Sequence, residues 1–228
     1  MAGEFRLGGV VPWGRSAAEY ERFFALGASD GPIRILDCGG GPASFAAEWG
    51  ATGHFAVAVD PLYALPNAEI VDAFEPVAER MLEGMRSARD RFDWTDYGSP
   101  EAVVERRGAT LRRFALDRSR ASSDGRYVAG RLPELPFASD AFDLVLCSHL
   151  LFLYSNDIGQ DDHLAALREM LRVGREVRVF PLADLNGERS SHLDPVVEVL
   201  RREAVCEIVH VPFEFQHGAS FMLSLRLR

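Results

Sequence analysis

A turn of three consecutive glycines, placed between a short apolar run and a helical pattern, constrains the fold of this chain more than any other feature. The run "IRILDC" is typical of a buried parallel strand, and "GGGP" follows it at once. The next segment, "ASFAAEWG", places Phe45 and Trp49 four residues apart, on one face of a helix. A strand, a glycine turn and a helix in this order form the first unit of a parallel sheet.

The same alternation continues along the chain. Six further apolar runs predict strands: HFAVAVD, YVAG, FDLVLCS, REVRVF, CEIVHVPF and SFMLSLRL. Helical patterns separate several of them; "DDHLAALREMLRV" places Leu164, Leu167 and Leu171 on one face. The sequence therefore predicts an α/β fold, with a doubly wound, mostly parallel sheet of seven strands and helices on both faces.

Two segments lie outside this alternation. In "PWGRSAAEYERFFAL", Ser16 and Glu19 have the spacing of a capping box, which predicts a helix in an N-terminal lid over residues 1–31. Residues 66–126 are much longer than an ordinary connection between a strand and a helix, and we interpret them as a helical insertion after the second strand. The part "RSRASSDG" is expected to be its most mobile region. Residues 1–228 are expected to form one domain.

The composition of the chain argues against several classes of protein and of binding site. The chain has 228 residues, of which 47% are hydrophobic and 26% charged, as expected for one globular domain. It has no apolar run of about 20 residues and no leader at "MAGEFRLGG", so we expect a cytoplasmic protein without a membrane partner. The net charge of -9 opposes binding to long nucleic acids. Cys38, Cys147 and Cys206 form no CxxC pair, so neither a disulfide framework nor a metal site is predicted.

Lysine is absent, because all 25 basic residues are arginine. The chain therefore has no amine for Schiff-base catalysis, no anchor for pyridoxal phosphate and no lysine for a phosphate loop ending in GKS or GKT. These three chemistries are excluded.

The glycine turn suits a ligand that approaches the backbone closely. Dinucleotide sites place a third glycine after the turn, but Ser44 occupies that position here and Pro42 follows the glycines. Asp37 stands in front of the turn, and Asp60 ends the next predicted strand. Each acid also has a structural alternative, since Asp37 can bond to the amides of the turn and Asp60 can cap the next turn.

Three segments carry a resemblance to a known family. "LDCGGGP" resembles motif I of the class I, Rossmann-like S-adenosylmethionine-dependent methyltransferases, and "VAVDPLY" resembles motif II. "LPELPFASDAFDLVLCSHLLFLY" resembles their LPF-x-x-x-x-FDLV segment. The resemblance covers Ile33 to about Phe180 and, with the closing strand pair, most of the chain. The set PWGRS, LDCGGGPASF and VDPLY is similar to bacterial methyltransferase-like proteins.

The resemblance implies a site for S-adenosylmethionine at the ends of the strands. The cofactor-binding residues it implies are Asp37, Cys38, Gly39, Gly40, Gly41, Asp60, Pro61, Leu62, Leu132, Cys147 and Ser148. Asp37, Gly39 and Gly41 would line the methionine end, and Asp60 would accept the ribose hydroxyls. The family often has an acid just before the LPF segment, where this chain has Gly130 and Arg131.

Pro61, Leu62 and Leu132 would lie beside the adenine. Cys147, Ser148 and His149 would form the floor near the transferred methyl group.

His149 is the candidate catalytic base, and its alternative is a histidine that is hydrogen-bonded near a strand end without chemistry. His163 is expected at the surface.

The N-terminal residues have alternatives too. Trp13, Arg15 and Tyr20 either close over the cofactor, with Arg15 pairing its carboxylate, or serve as a helix entry and core aromatics. Cys38 and Cys147 are expected to be apolar filler, although neighbouring thiols can in principle bridge a soft metal or metalloid.

The resemblance implies methyl transfer by in-line displacement, with a product S-adenosylhomocysteine. A small-molecule acceptor is expected, because the chain is acidic and lacks the (D/N/S)-P-P-(Y/F) signature of amino-methylating nucleic-acid enzymes. The alternative is a non-catalytic protein on the same fold that binds the cofactor without transferring methyl.

Overall fold

The computed structural model describes residues 11–27, 33–121 and 125–228. The predicted features in residues 1–10, and part of the segment "RSRASSDG", lie outside these ranges. The strands are β1 (Arg34–Cys38), β2 (Phe55–Val59), β3 (Tyr127–Val128), β4 (Phe142–Ser148), β5 (Gly174–Phe180), β6 (Ala204–His210) and β7 (Phe221–Leu227). They form one sheet in the order β3-β2-β1-β4-β5-β7-β6.

Seven α-helices lie in the described part of the chain. They are α1 (Ala17–Phe23), α2 (Phe45–Gly50), α3 (Asn67–Asp72), α4 (Phe74–Ser87), α5 (Pro100–Arg120), α6 (Gln160–Val173) and α7 (Leu193–Leu200). Short 3-10 helices cover Pro61–Ala64, Arg89–Arg91 and Phe152–Tyr154. Among these described helices, none combines the length and the apolar character needed to cross a membrane.

The predicted fold class is confirmed. The strands β1 to β5 pair in parallel, and β7 pairs antiparallel with both β5 and β6. Each of the seven predicted apolar runs overlaps one strand, although β5 and β6 begin one and two residues earlier than predicted. Three helices, α3, α4 and α5, lie in the stretch interpreted as an insertion. The division into a lid, an insertion and one domain stays a prediction.

Apolar side chains cover the sheet on both faces. Ile35 and Leu36 are adjacent in β1, both are fully buried, and they belong to different hydrophobic clusters. The first cluster includes residues of α1, α2, α4 and α5, and the second includes residues of α6 and α7. Burial on both faces explains why the strands read as continuous apolar runs.

The strand order places a crevice at the centre of the sheet. The order runs from β1 outward to β2 and β3 on one side, and from β4 to β5 on the other. Neighbouring strands β1 and β4 therefore lead to connections that diverge, and Cys38 is aligned with Cys147 at their carboxyl ends. Ligands of open α/β sheets bind at such a reversal point.

Candidate functional site

A cavity of about 450 Å³ opens at the carboxyl ends of β1, β2 and β4. Of the predicted site residues, those on its wall are Trp13, Arg15, Tyr20, Cys38, Gly39, Gly40, Gly41, Asp60, Pro61, Leu62, Leu132, Ser148 and His149. Asp37 and Cys147 do not line it, and both are fully buried behind the wall. The structure therefore brings most of the predicted site together around one space.

The glycine turn depends on backbone conformations that favour glycine. Gly39 and Gly41 have φ values of 68° and 54°, in the left-handed region. A Cβ on Gly39 would lie 2.5 Å from Leu150 Cδ2, whereas the nearest atom to a Cβ on Gly41 is Asp60 Oδ2, at 4.0 Å. Gly41 thus leaves open space on the wall of the cavity.

Asp60 connects the glycine turn to the end of β2. Its Oδ2 accepts the Gly41 N–H at 2.9 Å, and its Oδ1 accepts the Leu62 N–H at 2.8 Å. Burial raises the pKa of Asp60, while these two N–H bonds oppose the shift. Asp60 caps the turn that follows it and also lies on the cavity wall, so its structural and functional roles are compatible.

Asp37 is separated from the cavity by Tyr20. The Tyr20 hydroxyl donates to the Asp37 carboxylate, at 2.9 Å from Oδ1 and 3.1 Å from Oδ2. Burial raises the pKa of Asp37 to about 7; the Tyr20 bond opposes the shift, and the charge of Asp60 adds to it. In this arrangement the Tyr20 side chain, rather than Asp37 itself, forms the wall of the cavity.

The N-terminus of α2 is covered by the segment that precedes α1. The Ser44 N–H donates to the Arg15 carbonyl at 3.1 Å, and Pro42 has no N–H to offer. A Cβ on Gly14 would lie 2.1 Å from the Pro42 carbonyl oxygen, so the two backbones are in close contact. A pyrophosphate needs free amides at this position, and the fold leaves little room for one.

A buried ionic cluster links α1 with the segment around α5. Arg107 Nη1 lies 2.7 Å from Glu19 Oε1, and the Tyr97 hydroxyl donates to the same carboxylate. Burial alone would raise the pKa of Glu19, but the Arg107 charge and the bonds from Ser16 and Tyr97 lower it to about 2. The carboxylate is therefore ionised throughout the neutral range.

Sequence reasoning missed Arg107 and Tyr97. A signal was present, because Val103, Arg107 and Leu111 are spaced four residues apart, so that an arginine lies on the buried stripe of α5. A cation on an apolar stripe indicates a buried partner.

Arg15 lies on the cavity wall near this cluster. Its Nη1 donates to the Trp13 carbonyl at 2.7 Å, and its Nε is buried without a partner among the described residues. Burial lowers the pKa of Arg15 to about 10, and the charge of Arg107 adds to this shift. Trp13 stacks on Phe74, with ring centroids 5.6 Å apart.

His149 follows β4 with a φ of 52°, which is unusual for a residue other than glycine. Its backbone N–H donates to the Phe180 carbonyl at 2.6 Å, and its Nδ1 lies 2.9 Å from Ser148 Oγ. Burial lowers the pKa of His149 well below its usual value, and the charges of Arg15 and Arg107 lower it further. The imidazole is therefore neutral at pH 7.

Beneath His149, Cys147 is aligned with Cys38 of the neighbouring strand. Burial raises the pKa of Cys147 to about 12 and that of Cys38 well above its usual value. Both side chains are thus protonated thiols packed in the second hydrophobic cluster.

Steric contact explains the missing acid before the LPF segment. A Cβ on Gly130 would lie 2.9 Å from Val59 Cγ2 and 3.1 Å from Pro136 Cδ. Any side chain here would displace β2 or the following loop, so this chain has no room for a carboxylate at Gly130. Arg131 lies on the cavity wall beside it.

One minor prediction is wrong. His163 was expected at the surface, but it is fully buried, and its Nδ1 bonds to the Gly159 carbonyl oxygen at 2.8 Å. The first turn of α6 packs under the loop after β4, with the His163 ring 5.0 Å from that of Phe152.

Comparison with known families and curated proteins gives two similarities. Residues 103–177 match the family model described as a methyltransferase domain, which extends from α5 into β5. An uncharacterized protein of Methanocaldococcus jannaschii is 29% identical over 218 residues, which cover 95% of this chain and 96% of that protein.

Comparison with solved structures gives distant similarities. A TehB-like SAM-dependent methyltransferase of Corynebacterium glutamicum is 14% identical, with a TM-score of 0.44, over 93% of this chain and 95% of that chain. The 1,6-didemethyltoxoflavin-N1-methyltransferase of Burkholderia thailandensis, crystallised with 1,6-didemethyltoxoflavin and S-adenosylhomocysteine, is 16% identical, with a TM-score of 0.48, over 92% of this chain and 76% of that chain.

Proposed function

We propose that this protein is an S-adenosylmethionine-dependent methyltransferase that acts on a small molecule. The observation that carries the proposal is the meeting of the glycine turn and Asp60 on the wall of one cavity, at the reversal point of the sheet. The covered N-terminus of α2 favours a nucleoside without phosphates over a dinucleotide. The methyltransferase domain match over residues 103–177 supports the same class of activity.

The residues of the cavity fit this cofactor. The open space beside Gly41 suits a ligand in close contact with the backbone, and the carboxylate of Asp60 suits a pair of ribose hydroxyls. Pro61, Leu62 and Leu132 provide apolar surface for an adenine. The buried, unpaired Nε of Arg15 suits a ligand with a negative charge.

When bound, S-adenosylmethionine supplies a methyl group on a sulfonium, which is already a good leaving centre. The protein therefore contributes mainly alignment and the exclusion of water. Ser148 and His149 lie at the end of β4 and would form the floor on which an acceptor is aligned. Phe23 and Phe180 pack against His149, with ring centroids at 5.0 and 5.3 Å, and shield that floor from solvent.

His149 remains our candidate for the proton acceptor. Its imidazole is neutral at pH 7, which a base requires, but the lowered pKa makes it a weak base. This combination suits an acceptor that is acidic or that arrives already deprotonated. The same imidazole can orient the acceptor by a hydrogen bond without taking a proton.

The second candidate function is binding of the cofactor without methyl transfer. The crowded Gly130 favours it, because the acid that often holds the adenine amino group in the resembled family cannot be accommodated. Arg131 stands beside that position instead. Fold and cofactor site do not establish turnover, so the two functions need a direct test.

Calorimetric titration with S-adenosylmethionine, S-adenosylhomocysteine and NADH tests the proposal. We expect micromolar binding of the first two ligands and no binding of NADH. Binding of NADH alone would refute the cofactor assignment. Release of S-adenosylhomocysteine that depends on an added acceptor supports the enzyme, and tight binding without release supports the second candidate.

A further inference from the structure

Arg15 is a cation without a matching anion on the wall of the cavity. The only hydrogen bond that its guanidinium makes to another described residue joins Nη1 to the Trp13 carbonyl, and its Nε is buried and unpartnered. No carboxylate within the described ranges forms an ion pair with it. A guanidinium in this position has donors available for a ligand in the cavity.

Glu19 is the obvious partner for Arg15, but other groups occupy its carboxylate. Oε1 receives Arg107 Nη1 at 2.7 Å and the Tyr97 hydroxyl at 2.5 Å. Oε2 receives Arg107 Nη1 at 2.8 Å, the Ser16 N–H at 2.9 Å and the Ser16 hydroxyl at 3.0 Å. The two oxygens therefore have little capacity left for Arg15.

The charges of this cluster do not balance. Arg15 and Arg107 bring two positive charges, and Glu19 brings one negative charge. Arg107 is 3% exposed and Glu19 is 5% exposed, whereas Arg15 is half-buried on the cavity wall, so the unmatched charge is the one beside the cavity. A buried charge is costly unless an opposite charge pairs with it, and this cluster therefore favours an anion beside Arg15.

We propose that Arg107 and Tyr97 tune the cofactor site from behind its wall: by occupying Glu19, they keep Arg15 available for the carboxylate at the amino-acid end of the cofactor. The inference rests on the proposed function, and it assigns a role to the helical segment after β2. Arg107 and Tyr97 act through Glu19 and are positioning residues. Planar guanidinium groups bind carboxylates with two parallel hydrogen bonds, which suits this pairing.

Two ligands isolate the carboxylate in a binding experiment. S-adenosylhomocysteine carries the amino-acid end, and 5'-methylthioadenosine lacks it. Arg15→Gln is expected to weaken binding of S-adenosylhomocysteine by about tenfold or more, since it removes charge-assisted bonds, and to leave 5'-methylthioadenosine unaffected. Calorimetry of the two ligands measures both effects without an acceptor.

A pair of variants tests the positioning role. Arg107→Gln frees Glu19 to pair with Arg15. The variant is therefore expected to weaken binding of S-adenosylhomocysteine but not of 5'-methylthioadenosine. Adding Glu19→Gln removes the competing charge and is expected to restore most of that affinity. A purely structural role for Arg107 predicts no restoration. Arg112→Gln is the matched control, because Arg112 is an exposed arginine on the same helix.

Tyr97→Phe is a milder variant in case Arg107→Gln does not fold. It removes one bond to Glu19 and is expected to weaken binding of S-adenosylhomocysteine by a smaller factor than Arg107→Gln does. If Arg15→Gln loses affinity for both ligands equally, or keeps its affinity for S-adenosylhomocysteine, Arg15 does not bind the carboxylate. Unchanged ligand preference in Arg107→Gln and Tyr97→Phe would overturn the positioning role. If the unmodified protein binds neither ligand, the proposed function fails and this inference falls with it.

Discussion

The hydroxyl of Tyr20 donates to both oxygens of the Asp37 carboxylate, and the two side chains are 2% and 0% exposed. Tyr20 lies on the cavity wall, whereas Asp37 lies behind it. Because the hydroxyl donates its proton to Asp37, the Tyr20 oxygen can only accept further bonds, and the Ser148 side chain already bonds to it. Asp37 can therefore influence the cavity through Tyr20 without touching its contents.

The raised pKa of Asp37 makes stability depend on pH. The ordinary pKa is 3.8 and the folded value is about 7, so the folded state retains a proton that the unfolded chain releases. Between these values the free energy of unfolding falls as pH rises, by at most about 1.4 kcal/mol per pH unit for one proton. Asp37→Asn keeps an oxygen for the Tyr20 bond and removes the titration. The melting temperature of Asp37→Asn minus that of the unmodified protein is expected to be larger at pH 8 than at pH 5.

Asp140→Asn is the control for that experiment. Asp140 is exposed and has a φ of 53°, which asparagine tolerates well. Its melting temperature should follow that of the unmodified protein across the same pH range. A difference for Asp37→Asn that does not change with pH would show that Asp37 does not titrate in this range.

Asp60→Ala is expected to weaken cofactor binding by more than about 1 kcal/mol, because it removes a charge-assisted hydrogen bond from the cavity wall. The variant also frees the Gly41 and Leu62 N–H groups, which loosens the glycine turn. Calorimetry with S-adenosylhomocysteine measures the change. Asp72→Ala removes an exposed carboxylate that does not line the cavity and is expected to leave the affinity unchanged. An unchanged dissociation constant for Asp60→Ala would contradict the assignment of VAVDPLY as motif II of the cofactor site.

Local patterns were sufficient to predict the strands and the glycine turn. A strand buried on both faces needs consecutive apolar residues, as Ile35 and Leu36 show. A turn with left-handed backbone at Gly39 and Gly41 needs glycine in the sequence itself. In each case the physical requirement acts on residues that are neighbours in the chain, so it produces a local sequence pattern that predicts the structure.

The partners within the site could not be predicted in the same way. Tyr20 and Asp37 are 17 residues apart, and Glu19 and Arg107 are 88 residues apart. Their contacts depend on how α1 and α5 pack on the sheet, which a single sequence does not specify. Sequence reasoning therefore found the wall of the cavity and missed the cluster behind it, including Arg107.

Gly130→Ala is expected to destabilise the protein by about 1 to 3 kcal/mol, because the added Cβ overpacks against Val59 and Pro136. Gly130→Asp should cost at least as much and should not improve cofactor binding, since its carboxylate has no room at that position. Thermal melts measure the stability of each variant. Gly27→Ala is the control, because nothing lies within 4 Å of its Cβ position, and it should be nearly neutral. Tighter binding by Gly130→Asp would contradict the steric account.

His149→Asn tests the candidate base while respecting the backbone, since asparagine tolerates a positive φ better than alanine does. We expect the affinity for S-adenosylhomocysteine to change little and turnover with an acceptor to fall by about 100-fold or more, as for loss of a general base. Because the pKa of His149 lies well below 6.5, turnover of the unmodified protein should show no His149 inflection between pH 6 and 8. Intact turnover in His149→Asn would show that His149 is not the base, and an inflection near pH 6.5 that the variant abolishes would contradict the lowered pKa.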